Sequence, residues 1–142
     1  NNTLKFLEEL NVSYLHVFSY SERRNTYAVT LPGRVDVQKR KERSRILREL
    51  SNKKRLKFYR NNAGKIHDVL FESAKEDGYI YGFTDNYIKV RTEYKPGLEN
   101  VTLPFLITGA ENYLYASGNI LNNSESKFEQ EENINIAERS TL

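Results

Sequence analysis

The sequence predicts an α+β chain: a short helix, a strand and a long basic helix of α/β character, then a small five-stranded antiparallel β-barrel of the oligonucleotide-binding kind. Three observations predict it. Residues 36–60 hold a helical pattern that no Gly or Pro interrupts. Residues 13–20, SYLHVFSY, are rich in aromatic residues and apolar on both parities, as in a parallel strand covered on both faces. From Lys65 onward, short runs of strand character recur at 65–73, 78–84, 87–93, 101–107 and 112–120 between turn residues. The expected division is 1–62 for the α/β part, 63–121 for the barrel and 122–142 for an acidic tail.

Residues 2–10 open the chain as an amphipathic helix, with Leu4, Phe6, Leu7 and Leu10 at near-helical spacing. A single parallel strand with two helices cannot close a core, so the first 60 residues read as the end of a larger α/β domain. The polar loop from Tyr20 to Thr26 follows the strand's carboxyl end, where α/β sheets place their ligands; the alternative is that Arg23 and Arg24 continue the surface charge.

Asp36 is the expected N-cap of the long helix, and Asn61-Asn62-Ala63-Gly64 its stop. Residues 23–60 carry 14 Lys and Arg against three acids, net +11, whereas the other three stretches of the chain are each acidic. Ile46, Leu47, Leu50 and Phe58 share one broad face, expected to be buried, and Lys41, Arg45, Arg48 and Arg55 line another. That second face is either a solvated charged face or a track for a phosphate backbone.

In the barrel, a two-residue turn at Asp85-Asn86 pairs Phe83 with Ile88 and Tyr81 with Val90. Parity then places Tyr79, Tyr81, Phe83, Ile88 and Val90 inside and Gly82, Thr84, Tyr87, Lys89 and Arg91 outside; a three-residue turn would swap the assignments. Pro104 predicts an edge or a bulge. The tail reads as disordered or as a late helix around 128–137.

The sequence has no Cys and two His, which excludes disulfides, thiol nucleophiles and cysteine-held clusters within this segment. His16 and His67 read as ordinary structural histidines, and no metal site is expected. No stretch suits a membrane span or a signal peptide, so the expected location is the cytoplasm. The chain neither begins with Met nor contains one, which reads as a fragment.

Two stretches resemble the radical-SAM methylthiotransferases that modify tRNA. Leu15-His16-Val17-Phe18-Ser19-Tyr20-Ser21-Glu22-Arg23-Arg24-Asn25-Thr26 is similar to the family's last barrel strand and following loop, usually hydrophobic-Phe-x-Tyr-Ser-x-Arg-x-Gly-Thr. The basic helix, with Arg60 and Gly64 leading into Gly82-Phe83-Thr84-Asp85-Asn86-Tyr87, resembles the family's carboxyl-terminal TRAM domain. Leu-His-Val-Phe together with Thr-x-Asn-Tyr is most similar to the branch acting on threonylcarbamoyl-adenosine beside the anticodon. The resemblance covers roughly residues 1–120. Asn25 departs from the family's Gly, a tolerable exchange because Asn also adopts positive φ. The family's cysteine clusters are absent from the segment.

The resemblance implies the end of a radical-SAM barrel joined to a TRAM domain. Its parent would use two [4Fe-4S] clusters and S-adenosylmethionine, none of them held by this segment, which alone would be inactive. It implies an active-site mouth at Ser21, Arg23 and Thr26, and RNA contacts from Lys41, Arg45, Arg48, Arg55, Arg60, Thr84, Asn86, Tyr87, Lys89 and Arg91. The implied partners are a tRNA anticodon stem-loop and amino-terminal cluster-binding domains of the same polypeptide. Two competing classes remain: a non-catalytic RNA-binding module, and an adaptor that docks through the long helix.

Overall fold

The computed structural model describes residues 2–121, so the tail at 122–142 lies outside the described residues. The chain forms two compact units, parted between Phe58 and Tyr59. The first holds α1 (Asn2–Glu9), a 3-10 turn (Tyr27–Val29) and most of α2 (Val37–Arg60). The second holds β1 (Ile66–Glu76), β2 (Tyr79–Thr84), β3 (Lys89–Glu93), β4 (Thr102–Gly109) and β5 (Ala116–Ile120).

Helix α2 starts where its cap predicts. Asp36 Oδ1 accepts the N–H of Gln38 at 2.8 Å and of Lys39 at 3.4 Å, satisfying two orphan donors of the first turn. Farther along α2, Lys54 caps a different helix: Nζ donates to the carbonyls of Glu8 and Leu10 at 3.0 and 2.8 Å, at the end of α1. The apolar face of α2 is only half-buried at Ile46, Leu47, Leu50 and Phe58; the buried residues of the helix are Ser44, Ser51 and Tyr59.

Those serines explain what residues 13–20 do. The expected strand does not form, because the first unit offers no partner strand. Instead Ser51 Oγ accepts the Leu15 N–H and donates to the Leu15 carbonyl, both at 2.9 Å, and Ser44 Oγ meets Ser19 Oγ at 2.9 Å. Arg55 stacks on Tyr14 at 4.6 Å and Arg40 on Tyr20 at 5.5 Å, so the segment runs antiparallel to the helix. The segment lies along α2 without a ladder.

The five strands close in the order β1-β2-β3-β5-β4. The expectation of a wholly antiparallel barrel is corrected: β3 and β5 pair in parallel, through Val90↔Ala116 and Arg91↔Ser117 only. An odd number of strands forces this, since alternating directions around a closed ring of five must repeat once. The other four pairs are antiparallel.

The core is the inward parity of each strand. Val69, Phe71, Ile80, Val90, Phe105, Ile107 and Ala116 are fully buried, joined by Ile88 from the loop before β3. Phe71 and Phe105 meet edge to face at 6.0 Å. Gly82 takes an inward position because a Cβ there would lie 2.6 Å from Val69 Cγ1. Pro104 marks neither an edge nor a bulge. It pairs with Asp68 on β1, and its missing donor faces the end of β5, where the Leu121 N–H donates to the Pro104 carbonyl at 2.9 Å.

The β3–β4 connection is held by one carboxylate. Glu99 accepts from Tyr94 Oη at 2.6 Å, from the Gly97 N–H at 3.2 Å and from Lys75 Nζ at 3.3 Å. The Tyr94 hydroxyl foremost, with backbone N–H groups and Lys75, lowers its pKa to about 2. A depressed carboxylate stabilises the fold above its unfolded pKa, and that contribution fades as pH falls from about 4.5 to about 2. Thermal melts across this window are expected to show a shallower acid loss for Glu99→Gln than for the parent chain; parallel losses would show that this carboxylate is not linked to folding.

Candidate nucleic-acid interface

The site is built by the β2–β3 hairpin, whose register is set by Thr84. The ladder pairs Phe83 with Lys89, Gly82 with Val90 and Tyr81 with Arg91, one residue off the sequence expectation. The connection has three residues, Asp85, Asn86 and Tyr87, with Tyr87 at φ 64. Thr84 Oγ1 accepts the Ile88 N–H at 2.8 Å and donates to Asn86 Oδ1 at 2.6 Å, while the Thr84 N–H reaches the Ile88 carbonyl at 3.0 Å. These bonds hold a left-handed tyrosine that local propensity disfavours. Thr84→Val keeps the shape but removes both side-chain bonds, and is expected to lower stability by about 1–2 kcal/mol in a chemical melt; an unchanged midpoint would dismiss Thr84 as the organiser of the turn.

This register corrects the face assignment on β2. Ile80, Gly82 and Thr84 point inward, and Tyr79, Tyr81 and Phe83 outward, with Phe83 38% exposed. The β3 side stands as expected, with Ile88 and Val90 inside and Lys89 and Arg91 outside. Thr84 is buried and Asn86 is bonded to it, so both build the loop rather than face a ligand. Tyr87 projects from that loop, 72% exposed.

The outer face therefore gathers tyrosines and cations that the sequence expectation had separated. Lys89 Nζ lies 4.6 Å from the Tyr81 ring, and the Arg91 guanidinium 4.2 Å from Tyr79 and 4.0 Å from Tyr115. Tyr81 and Tyr115 meet edge to face at 6.1 Å. Cations resting on π faces present a flat, positively charged surface, the combination that takes bases by stacking and phosphates by charge. It stands out on a barrel whose residues 61–120 carry net −3. The missed signal was Tyr115: its parity beside buried Ala116 places it outside.

On α2 the basic face is less open than the sequence suggests. Arg45 is shared between Glu42, at 2.7 Å, and Glu49. The bond to Arg45 holds the Glu42 carboxyl below its ordinary range, and the pair raises the guanidinium pKa. Arg48 reaches Ser19 Oγ at 3.4 Å and Arg55 lies on Tyr14, while Lys41 is exposed. Arg60 Nε donates to the Ala110 carbonyl at 3.2 Å, a structural role in the second unit.

In the loop, Thr26 Oγ1 donates to the Arg23 carbonyl at 2.8 Å, and Asn25 takes φ 64, a left-handed conformation that Asn tolerates. Ser21, Arg23 and Thr26 are all exposed. Glu22, which no sequence motif singles out, anchors this loop by bonding Arg34 and, at 2.8 Å, Arg40; the bond to Arg34 foremost lowers its pKa. His16 is exposed and packs edge-on against Tyr14 at 5.1 Å. His67 sits between Asp85 Oδ1 at 3.0 Å and Asn62 Oδ1 at 3.3 Å. Among the described residues no group of three or more His, Cys, Asp or Glu could hold a metal ion, and no helix is long and apolar enough to cross a membrane. These residues do not fit an iron–sulfur cluster.

No family model matches the chain. Curated relatives do. It is 38% identical over 92 residues to the threonylcarbamoyladenosine tRNA methylthiotransferase MtaB of Aquifex aeolicus, which covers 64% of this chain and 21% of the relative. It is 33% identical over 103 residues to the protein of the same name in Rickettsia prowazekii, covering 70% of this chain and 24% of the relative. It is 31% identical over 112 residues to the tRNA-2-methylthio-N(6)-dimethylallyladenosine synthase of Pelotomaculum thermopropionicum, covering 78% of this chain and 25% of the relative. The chain thus spans about a quarter of the length of these relatives or less. Over that quarter, it is homologous to the tRNA methylthiotransferases.

Proposed function

We propose that this chain is the carboxyl-terminal, RNA-holding part of a tRNA methylthiotransferase, the barrel being its TRAM domain. The observation that carries the reading is the set of Lys89 and Arg91 over Tyr79, Tyr81 and Tyr115 on one outer face. Its substrate is an anticodon stem-loop: unpaired bases stack on the tyrosines, with Tyr87 at the rim, and Lys41, Arg48 and their neighbours on α2 meet phosphates. The threonylcarbamoyl-adenosine branch is favoured by the 38% identity to the Aquifex protein. Ser21, Arg23 and Thr26 line the mouth of the parent's active site.

Two [4Fe-4S] clusters and S-adenosylmethionine would supply the sulfur insertion and methyl transfer, and they belong to other domains of the parent. The first unit offers such domains an apolar surface, with Phe18 87% exposed and Tyr20, Tyr27, Val29 and Leu31 exposed near it in sequence. The parent enzyme works in the cytoplasm.

Fluorescence anisotropy of the whole chain with an anticodon stem-loop and a loopless duplex, each at several salt concentrations, tests the reading. Tighter binding of the stem-loop is expected, with log affinity falling linearly against log salt for both RNAs. Equal affinity for the two would reduce the tyrosine face to a solvated surface.

A further inference from the structure

We infer that the seam between β3 and β5 is a pocket for one unpaired nucleobase at the edge of the tyrosine face, with which it shares Tyr79 and Arg91. The inference rests on the RNA reading above. The parallel pair ends at Arg91↔Ser117, although β3 continues to Glu93 and β5 to Ile120. Past that point the two strands part, and a groove of about 450 Å³ opens between them. This volume lies within the range of about 300–1,000 Å³ found for small-molecule sites. Tyr79, Arg91, Glu93, Ser117 and Asn119 line it.

The groove has the chemistry of a base rather than of a phosphate. One wall is the Tyr79 ring with the Arg91 guanidinium already stacked on it at 4.2 Å, a π surface that a base can extend. The opposite wall is polar, with the Ser117 hydroxyl and the Asn119 amide on the outward parity of β5. The antiparallel ladders use the far edges of both strands: Tyr79↔Glu93 on one side and Phe105↔Ile120 on the other. The β3–β5 register stops at Arg91↔Ser117, short of Glu93 and Ile120, so the polar side chains of Ser117 and Asn119 face open space there. Donors and acceptors at fixed positions can thus read a base edge. The Glu93 carboxylate in the lining repels phosphate, while the cations Arg91 and Lys95 of the same lining can hold the flanking phosphates.

The test uses the whole chain and a fluorescein-labelled anticodon stem-loop in which each loop nucleotide in turn is made abasic. Tyr79→Leu and Asn119→Ala are each expected to weaken stem-loop binding about ten-fold, and Asn119→Ala to leave duplex binding unchanged. One loop position should couple to them: with that base removed, the wild-type chain loses a similar factor and the two substitutions add little more. The abasic scan on wild-type protein stands even if a variant folds poorly. Loop-dependent binding in which no single position couples to Tyr79 or Asn119 would overturn the pocket while leaving the RNA reading intact. Absence of RNA binding by the wild-type chain would overturn both.

Discussion

Phe71→Ala is expected to destabilise the barrel by about 3–5 kcal/mol, far more than truncation at any exposed position of the same strand. Phe71 is fully buried and meets Phe105 edge to face at 6.0 Å, so truncation removes both apolar burial and an aromatic pair. A barrel of this size buries little surface and its net stability is only a few kcal/mol, so the loss approaches the whole. The neighbouring Leu70→Ala is the control: Leu70 is 53% exposed, and its truncation is expected to change stability by no more than about 0.5 kcal/mol. Denaturant melts of the two variants measure the difference. Equal losses would mean that the inward parity of β1 is misassigned.

The second large effect concerns binding. Arg91→Ala removes a cation and the guanidinium that lies on two rings, at 4.2 Å from Tyr79 and 4.0 Å from Tyr115. Loss of a phosphate contact together with a stacking surface is expected to weaken stem-loop binding by roughly 2–3 kcal/mol. Arg91→Lys separates the contributions, because an ammonium restores charge but not the planar stack. It should recover the salt dependence of the parent chain without recovering its preference for an unpaired loop. Full recovery by Lys would show that Arg91 acts through charge alone.

Where local chemistry decided a feature, the sequence was enough to find it. Helix α2 begins at its Asp36 cap and ends before Gly64, and the strands match their expected bounds closely, the start of β5 at Ala116 rather than 112 being the largest miss. The hairpin expectation was off by one residue because Tyr87 at φ 64 runs against tyrosine's own preference, and the Thr84 side chain, bonded to Ile88 and Asn86, joins the backbone bonds that hold the turn. One residue of slip moved the tyrosines of β2 from the core to the surface, while Lys89 and Arg91 kept their side because the pattern of β3 alone places them. The parallel β3–β5 seam follows from counting strands, yet no propensity on either strand announces it. Residues 13–20 carry strand chemistry without a strand to pair with, and Ser44 and Ser51 on α2 meet them instead. Charge was legible in amount but not in availability, since Arg45 is matched to Glu42 and Glu49 on its own helix.

If the outer face of β2, β3 and the start of β5 holds RNA, backbone amide NMR shifts on titration with an anticodon stem-loop will map to it. The largest shifts are expected on Tyr79, Tyr81, Lys89, Arg91 and the segment from Tyr115 to Asn119, saturating together. Shifts confined to β1 and β4, with Lys89 and Arg91 unmoved, would contradict it.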